Sequence, residues 1–414
     1  MIRAEAPVTV QQETMLTAVA GAPRPQVYNV ATRIRFAGHL DVPALADALD
    51  TLIGRHVALR SRFAGSPGDL RQQEIEPPSP VLRVTDLRDL PGPVAEGIAD
   101  DLARAMAERP FDLTRSTVPV CRLLRFAAGR ADLILVTHHI TTDGWALALV
   151  LRELAELYRA ATTGTPIELP DPGAQSTGYA RWQKAQGADD LRLDHWRQAL
   201  EGVDLALPLP TDRPRPATPT GAGGTVRLRA AEGTRSSVER LARARGVTPF
   251  IVAAAALAEL LSRFSGRDRV LLSVSYAQRE RREFESMVTC TRLAIGLLAP
   301  VSGSFDDVVD GVAGAALQSL EHPVPLGRVL DELGLAAAPV GLAFQNFPDG
   351  DATWPGLSVT TEDIAPAAAR GDAVFGLTEA AGEYQAFLEY SSDLWTETSA
   401  ERLLSDYLRA LRRG

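Results

Sequence analysis

A chain of 414 residues, 45% hydrophobic and 23% charged, has the composition of a water-soluble globular protein long enough for two domains of ordinary size. Its formal net charge of -9 argues against a dedicated nucleic-acid or anionic-membrane surface. Cys121 and Cys290 are the only cysteines and form no C-x-x-C pair, which argues against a disulfide framework and fits a reducing cytoplasm.

The N-terminus, Met1 to Pro7, lacks the apolar core of a signal peptide, and the apolar run Phe250 to Leu257 falls short of the roughly 18 residues of a membrane span. Arginine supplies every basic residue except Lys184, a bias read as a GC-rich coding sequence.

In chain order, residues 8–20 read as a strand entering a short helix. Asn29 to Phe36 alternates apolar and polar residues, the pattern of a half-buried strand. Asp41-Val42-Pro43 opens a helix, with Asp at the cap and Pro in the first turn, that carries Leu45, Leu49, Leu52 and Ile53 inward. Gly65 to Pro80 reads as turn and loop, and Val94 to Met106 as a second amphipathic helix. Val118 to Phe126 and Asp132 to Val136 then form a hairpin. This order describes an α+β lobe with a mixed sheet rather than an alternating β-α-β series.

Thr163 to Gly173, rich in Thr, Pro and Gly, is the candidate linker, dividing an N-terminal lobe (1–170) from a C-terminal one (171–414). Prolines 208, 210, 214 and 216 stiffen an extended connector. Residues 235–264 are strongly helical, 270–274 form a strand, and Ser399 to Leu411 make the final helix. There is no internal sequence repeat.

Chemistry gathers at Thr137-His138-His139-Ile140-Thr141-Thr142-Asp143-Gly144-Trp145. The stretch follows the apolar strand Leu133 to Val136. It precedes a helical period of Leu147, Val150, Leu151, Leu154, Leu157 and Tyr158, for which Asp143 is placed as cap. The two histidines therefore sit where a strand ends and a helix has not begun. An imidazole, with an unperturbed pKa of about 6.5, can take a proton at neutral pH. Adjacent strand residues point to opposite faces, so only one of the pair would enter a cleft. Gly144 would allow close backbone approach. By itself, a His pair is more often structural, a chance cluster or part of a metal site than catalytic.

His138-His139-x-x-x-Asp143-Gly144 after a strand resembles the signature of nonribosomal peptide synthetase condensation domains and their acyltransferase relatives. Other segments are similar to the same family. They include Arg55 to Phe63 (with Val57 where the family has Glu), Tyr179 to Gln183, Leu193 to Gly202, the connector 207–216, Gly341 to Phe347 and Phe387 to Trp395. Thr289 to Ala294 and His322 to Gly327 retain little of the family patterns that fall there.

The resemblance covers roughly residues 8–411. It implies two chloramphenicol-acetyltransferase-like α/β lobes arranged as a V-shaped pseudo-dimer around a central tunnel. His139 would be the catalytic residue, with His138, Asp143, Gly144 and Arg279 as support. Arg279 matches the arginine that pairs with the motif aspartate. Trp145, Arg60 and Arg62 are candidates for the tunnel wall, although Trp145 also reads as packing and the arginines as a solvated strand end.

The implied activity is that of a free-standing condensation enzyme, with no adenylation or carrier domain of its own. It would join an acyl thioester, delivered as phosphopantetheine on a separate carrier protein, to an amine or hydroxyl nucleophile, either a soluble small molecule or carrier-bound. No bound metal or cofactor, nucleic acid or membrane is called for. Heterocyclising relatives replace the His pair with aspartates and epimerising ones need a further acidic motif, so both are disfavoured. Two rivals remain: an O-acyltransferase using coenzyme A or a polyketide carrier, and a non-catalytic recruitment domain that docks partner enzymes.

Overall fold

The structure, a computed structural model, describes residues 2–127, 129–186, 190–279, 281–335, 340–345, 352–380 and 382–412. Ala128 in the expected hairpin turn, Glu280 beside Arg279, and Asn346 and Phe347 lie outside the described residues. By contacts, unit 1 holds residues 1–187, 278–291 and 347–366, and unit 2 holds 188–277, 292–346 and 367–414. The sequence predicts one boundary, between 170 and 171. By contacts the described residues of 281–291 and 352–366 also fold with unit 1, through long-range contacts that no local signal announces.

Unit 1 begins with β1 (Ile2–Pro7), α1 (Val10–Gly21), β2 (Asn29–Gly38), α2 (Val42–Arg55), β3 (Ser61–Ala64) and β4 (Arg71–Ile75). It continues through β5 (Leu82–Asp86), α3 (Gly92–Ala107), β6 (Val120–Arg125), β7 (Arg130–His138), α4 (Gly144–Thr163) and α5 (Ser176–Ala185). The helix α2 starts where Asp41 Oδ1 accepts the N–H of Ala44 at 3.0 Å. It buries the four apolar residues that the sequence pattern turns inward. Gly65 to Pro80, expected as a loop, contains β4. Its sequence, Arg-Gln-Gln-Glu-Ile, is too polar to read as a strand, and β4 is held instead by pairing with both β1 and β3.

Unit 2 contains α6 (Asp190–Leu200), β8 (Gly223–Arg229), α7 (Thr234–Arg245), α8 (Pro249–Ser265) and β9 (Arg269–Ala277). The chain then supplies α9 (Arg282–Glu285) to unit 1 and returns as β10 (Arg292–Pro300), α10 (Phe305–Glu321), α11 (Leu326–Glu332) and β11 (Val340–Gln345). After β12 (Leu357–Ile364), again in unit 1, it ends with β13 (Ala373–Ala380), β14 (Glu383–Ser391) and α12 (Glu397–Leu411).

The sheet that carries the histidine motif has five strands in the order β12-β2-β7-β6-β5. Along β7, Leu133 and Leu135 pack with Leu45 and Leu49 of α2 and Leu149 and Leu154 of α4. The alternate residues Ile134 and Val136 pack with Ala95, Ala99 and Ala103 of α3. Both faces of β7 are covered, which is why Leu133 to Val136 is apolar without interruption. Each fully buried Leu or Ile contributes about 1.5–3 kcal/mol, so β7 is an anchored platform for the residues at its end.

Unit 2 is built on a six-stranded sheet in the order β10-β9-β11-β13-β14-β8. Val270, Leu272 and Val274 of β9 share a core with α7, α8, α10 and α12, while Leu271 packs with Trp196 of α6 and Val329 of α11. Gly246, at φ +66°, ends α7 in the left-handed conformation that glycine adopts at least cost, and Pro249 starts α8. The run Val252 to Ala258 is fully buried in that core. Among the described residues, no single helix is long and apolar enough to cross a membrane.

Candidate active site

The β7 ladder delivers the two histidines to opposite environments. Asn29 of β2 pairs with His138, and the N–H of His139 donates to the Tyr28 carbonyl at 2.7 Å, which extends the strand by one residue. The pleat then turns successive side chains apart. His138 is 2% exposed and lies between Phe111 and Tyr28, with ring centroids 5.7 and 6.3 Å away. His139 is half-buried.

His138 is a structural pivot. Its Nδ1 accepts the N–H of Ile140 at 3.1 Å, so the ring's proton sits on Nε2 and the imidazole is neutral. Its carbonyl accepts the N–H groups of Thr141 and Thr142 at 2.9 and 3.2 Å, closing the turn that follows the strand. Burial, and then the neighbouring His139, push its pKa down to about 3.

Asp143 ends this turn and starts α4. Its Oδ1 accepts the N–H of Ala146 at 2.8 Å as N-cap. Its Oδ2 accepts the N–H of Thr291 at 2.9 Å and the Thr291 hydroxyl at 3.2 Å. Nη2 of Arg279 lies 3.5 Å from Oδ1, and both side chains are nearly closed to solvent. Most of Arg279's hydrogen bonding goes elsewhere. Its Nη1 donates to the carbonyls of Phe284 and Met287 at 2.7 and 2.8 Å, and Nη2 donates to that of Thr289 at 3.1 Å. The guanidinium therefore clamps the segment around α9 against the Asp143 turn, using donors in a fixed planar fork.

Trp145, in the first turn of α4, closes the same arrangement. Its Nε1 donates to the Glu285 carbonyl at 2.8 Å, and Arg279 Cζ lies 5.7 Å from its ring centroid. The stretch so anchored carries Cys290, whose Sγ is 3.8 Å from His139 Nδ1.

A family model for the condensation domain matches residues 2–413. The chain belongs to the condensation domain family. Chondramide synthase cmdD of Chondromyces crocatus is 33% identical over 400 residues, which are 93% of this chain and 10% of that synthase. Three such synthetases are spanned over 10%, 34% and 36% of their length, well under two thirds. Among solved structures, the X-domain from teicoplanin biosynthesis matches at a TM-score of 0.84 and 25% identity, over 100% of this chain and 96% of that one. The first condensation domain of the calcium-dependent antibiotic synthetase matches in fold at a TM-score of 0.82 and 20% identity, over 100% and 97% of the two chains. The mixed α/β architecture is thus the chloramphenicol-acetyltransferase-like fold of condensation domains, a family of nonribosomal peptide and natural-product synthesis.

Within this condensation domain, His138, His139, Asp143, Gly144, Trp145 and Arg279 come together in unit 1. Arg60 and Arg62 are engaged on β4 instead: Arg60 pairs with Glu74, and Arg62 Nε donates to Gln73 Oε1 at 2.8 Å. His322, retained in an otherwise altered stretch, belongs to unit 2. Its carbonyl accepts Trp196 Nε1 at 2.9 Å, and its ring stacks on His195 at 4.0 Å.

Nothing in the sequence marks Thr289, Cys290 and Thr291 as part of the site, because that stretch retains little of the family pattern. The same holds for Gln11, whose Nε2 donates to the Thr291 carbonyl at 3.1 Å and to Gln278 Oε1 at 2.6 Å. Gln11 lies in α1, whose sequence has no apolar stripe of helical period, so no local signal marks it as buried.

Proposed function

We propose that this condensation domain transfers an acyl group from a carrier-borne phosphopantetheine thioester to an amine or hydroxyl, giving an amide or ester. The observation that carries the reading is the division of labour between the two histidines. His138 is locked neutral in the core with its Nδ1 engaged, and His139 is the half-buried imidazole on an anchored strand end.

In the reaction, His139 takes the proton of the attacking N–H or O–H as the new C–N or C–O bond forms at the thioester carbonyl. The C–S bond then breaks, and the imidazolium returns the proton to the departing thiolate. A positioned general base of this kind contributes about 10²–10⁴-fold. Holding donor and acceptor together supplies much of the remaining acceleration as effective molarity. Asp143, Arg279 and Trp145 do no chemistry in this scheme; they fix the turn that follows the strand. The acceptor is a soluble small molecule, a reading motivated by the altered stretches at 289–294 and 322–327.

A second reading, recruitment of a partner enzyme, is favoured by the likeness to the teicoplanin X-domain, which was also solved as a complex with OxyB at a TM-score of 0.83 and 25% identity to this chain.

The two readings separate when an acyl-loaded carrier is incubated with the protein and a panel of amines and alcohols, and carrier and products are followed by mass spectrometry. Acyl loss matched by new amide or ester, slowed at least about a hundredfold in His139→Ala, is the expected result. Transfer unchanged in His139→Ala would remove His139 from the chemistry. Absence of transfer with any acceptor, with carrier binding retained, would favour recruitment.

A further inference from the structure

Cys290 is held against His139 by Asp143 of the family motif together with Arg279 and Gln11. The residue before it, Thr289, gives its carbonyl to Arg279 at 3.1 Å. The residue after it, Thr291, gives its N–H to Asp143 at 2.9 Å and receives Gln11 on its carbonyl at 3.1 Å. Cys290 itself is 2% exposed. With both flanking peptides pinned, the thiol has little freedom to leave its place 3.8 Å from Nδ1 of His139, a distance within sulfur hydrogen-bond reach. The Asp143–Arg279 network therefore has a consequence beyond bracing the turn, because it fixes a polarisable side chain on one particular ring nitrogen of the proposed base.

We infer that Cys290 is a positioning residue that holds the His139 ring with Nδ1–H directed at Sγ, so that Nε2 is the nitrogen that takes the nucleophile's proton. The inference rests on the reading of His139 as general base. A neutral imidazole carries one proton, and the contact made by one nitrogen decides which nitrogen keeps it. A base acting through Nε2 must carry its proton on Nδ1, the nitrogen facing the thiol. Sulfur is a weak acceptor, so the contact orients the ring without fixing a second charge beside it. Outer-shell partners that fix the tautomer of metal-bound histidines, an analogous arrangement, are worth about 10–100-fold.

The test uses the full chain with ¹⁵N-labelled histidine. The His139 signals are assigned by their loss in His139→Gln, and tautomer and titration midpoint are read from the ring nitrogens. In the wild type the Nδ1–H form should predominate. Cys290→Ala should shift the ratio at least about threefold toward Nε2–H, and Cys290→Ser, which keeps an acceptor there, should restore most of it. In the transfer assay, kcat should fall about tenfold in Cys290→Ala with KM within about twofold, and recover in part in Cys290→Ser.

A predominant Nε2–H form in the wild type, or a Cys290→Ala variant with wild-type ratio and midpoint, overturns the inference. If no acceptor supports transfer, the general-base reading fails, while the tautomer ratio still decides the role of Cys290. If Cys290→Ala does not fold, the Cys290→Ser and wild-type spectra carry the comparison, and a serine variant with the ratio reversed overturns it as well.

Discussion

The Asp143 carboxylate accepts both the N–H and the hydroxyl of Thr291, a residue 148 positions further along the chain, at 2.9 and 3.2 Å. Asp143 is therefore three things at once: the cap of α4, the end of the histidine turn, and the attachment point of the stretch that carries Cys290. A cap alone is worth about 1 kcal/mol. The buried partners raise the stakes, because removing one side of a buried charged pair leaves the other uncompensated.

Arg279→Met should lower unfolding stability by about 3–5 kcal/mol, measured by urea denaturation at pH 7.5. It loses the bonds to three carbonyls and leaves Asp143 buried without its cation. Arg279→Lys should rescue little of this, since one ammonium cannot reproduce a planar fork that reaches the Phe284, Met287 and Thr289 carbonyls together. A lysine variant as stable as wild type would mean that charge, rather than the fork, holds the segment.

His138 gives the protein an acid-sensitive element. Its folded pKa, about 3, lies below the ordinary value of 6.5 because burial opposes the charged ring. The unfolded chain therefore binds this proton more readily than the folded one at any pH between those values. Stability is fully present above about pH 6.5 and is lost as pH falls toward 3, at no more than about 1.4 kcal/mol per pH unit from this one group. Asn at position 138 offers an oxygen near the place of Nδ1 for the Ile140 N–H and cannot be protonated there. His138→Asn should thus flatten the decline in unfolding stability between pH 6.5 and 5 by about 2 kcal/mol relative to wild type. Identical slopes in the two proteins would show that His138 does not govern this window.

Much of the architecture was legible because it is written locally. Covered on both faces, β7 has an uninterrupted apolar run, and α2 and α4 announce themselves by period and by their capping aspartates, Asp41 and Asp143. The strands that were not legible are held by distant partners. β4 is nearly all polar and exists because β1 and β3 flank it, and β12 joins β2 from more than 300 residues away in the chain.

The same division runs through the candidate site. His138, His139, Asp143 and Gly144 could be found because they are contiguous. Cys290 could not, since its proximity to His139 depends on bonds from Thr289 and Thr291 to Arg279 and Asp143. Sequence alone sees there only a threonine-flanked cysteine.

Arg60 and Arg62 bring the expectation of a tunnel wall to a direct trial. Arg60 pairs with Glu74 and donates from Nε to the Gly54 carbonyl at 3.1 Å, with side chains of the pair only 11% and 15% exposed. Arg62 donates from Nε to Gln73 of β4, the strand that also carries Glu74. These bonds tie β3 and the turn before it to β4, so their loss should appear in stability rather than in chemistry. Arg60→Met leaves Glu74 partly buried without its cation and should cost about 1–3 kcal/mol, less than a fully buried pair because some solvent remains. Arg62→Met should cost under about 1 kcal/mol. In both variants kcat/KM for acyl transfer, measured at a temperature where each is fully folded, should stay within about twofold of wild type. A tenfold fall in either, with the thermal midpoint unchanged, would place that guanidinium on the substrate path and return it to the role its sequence position suggests.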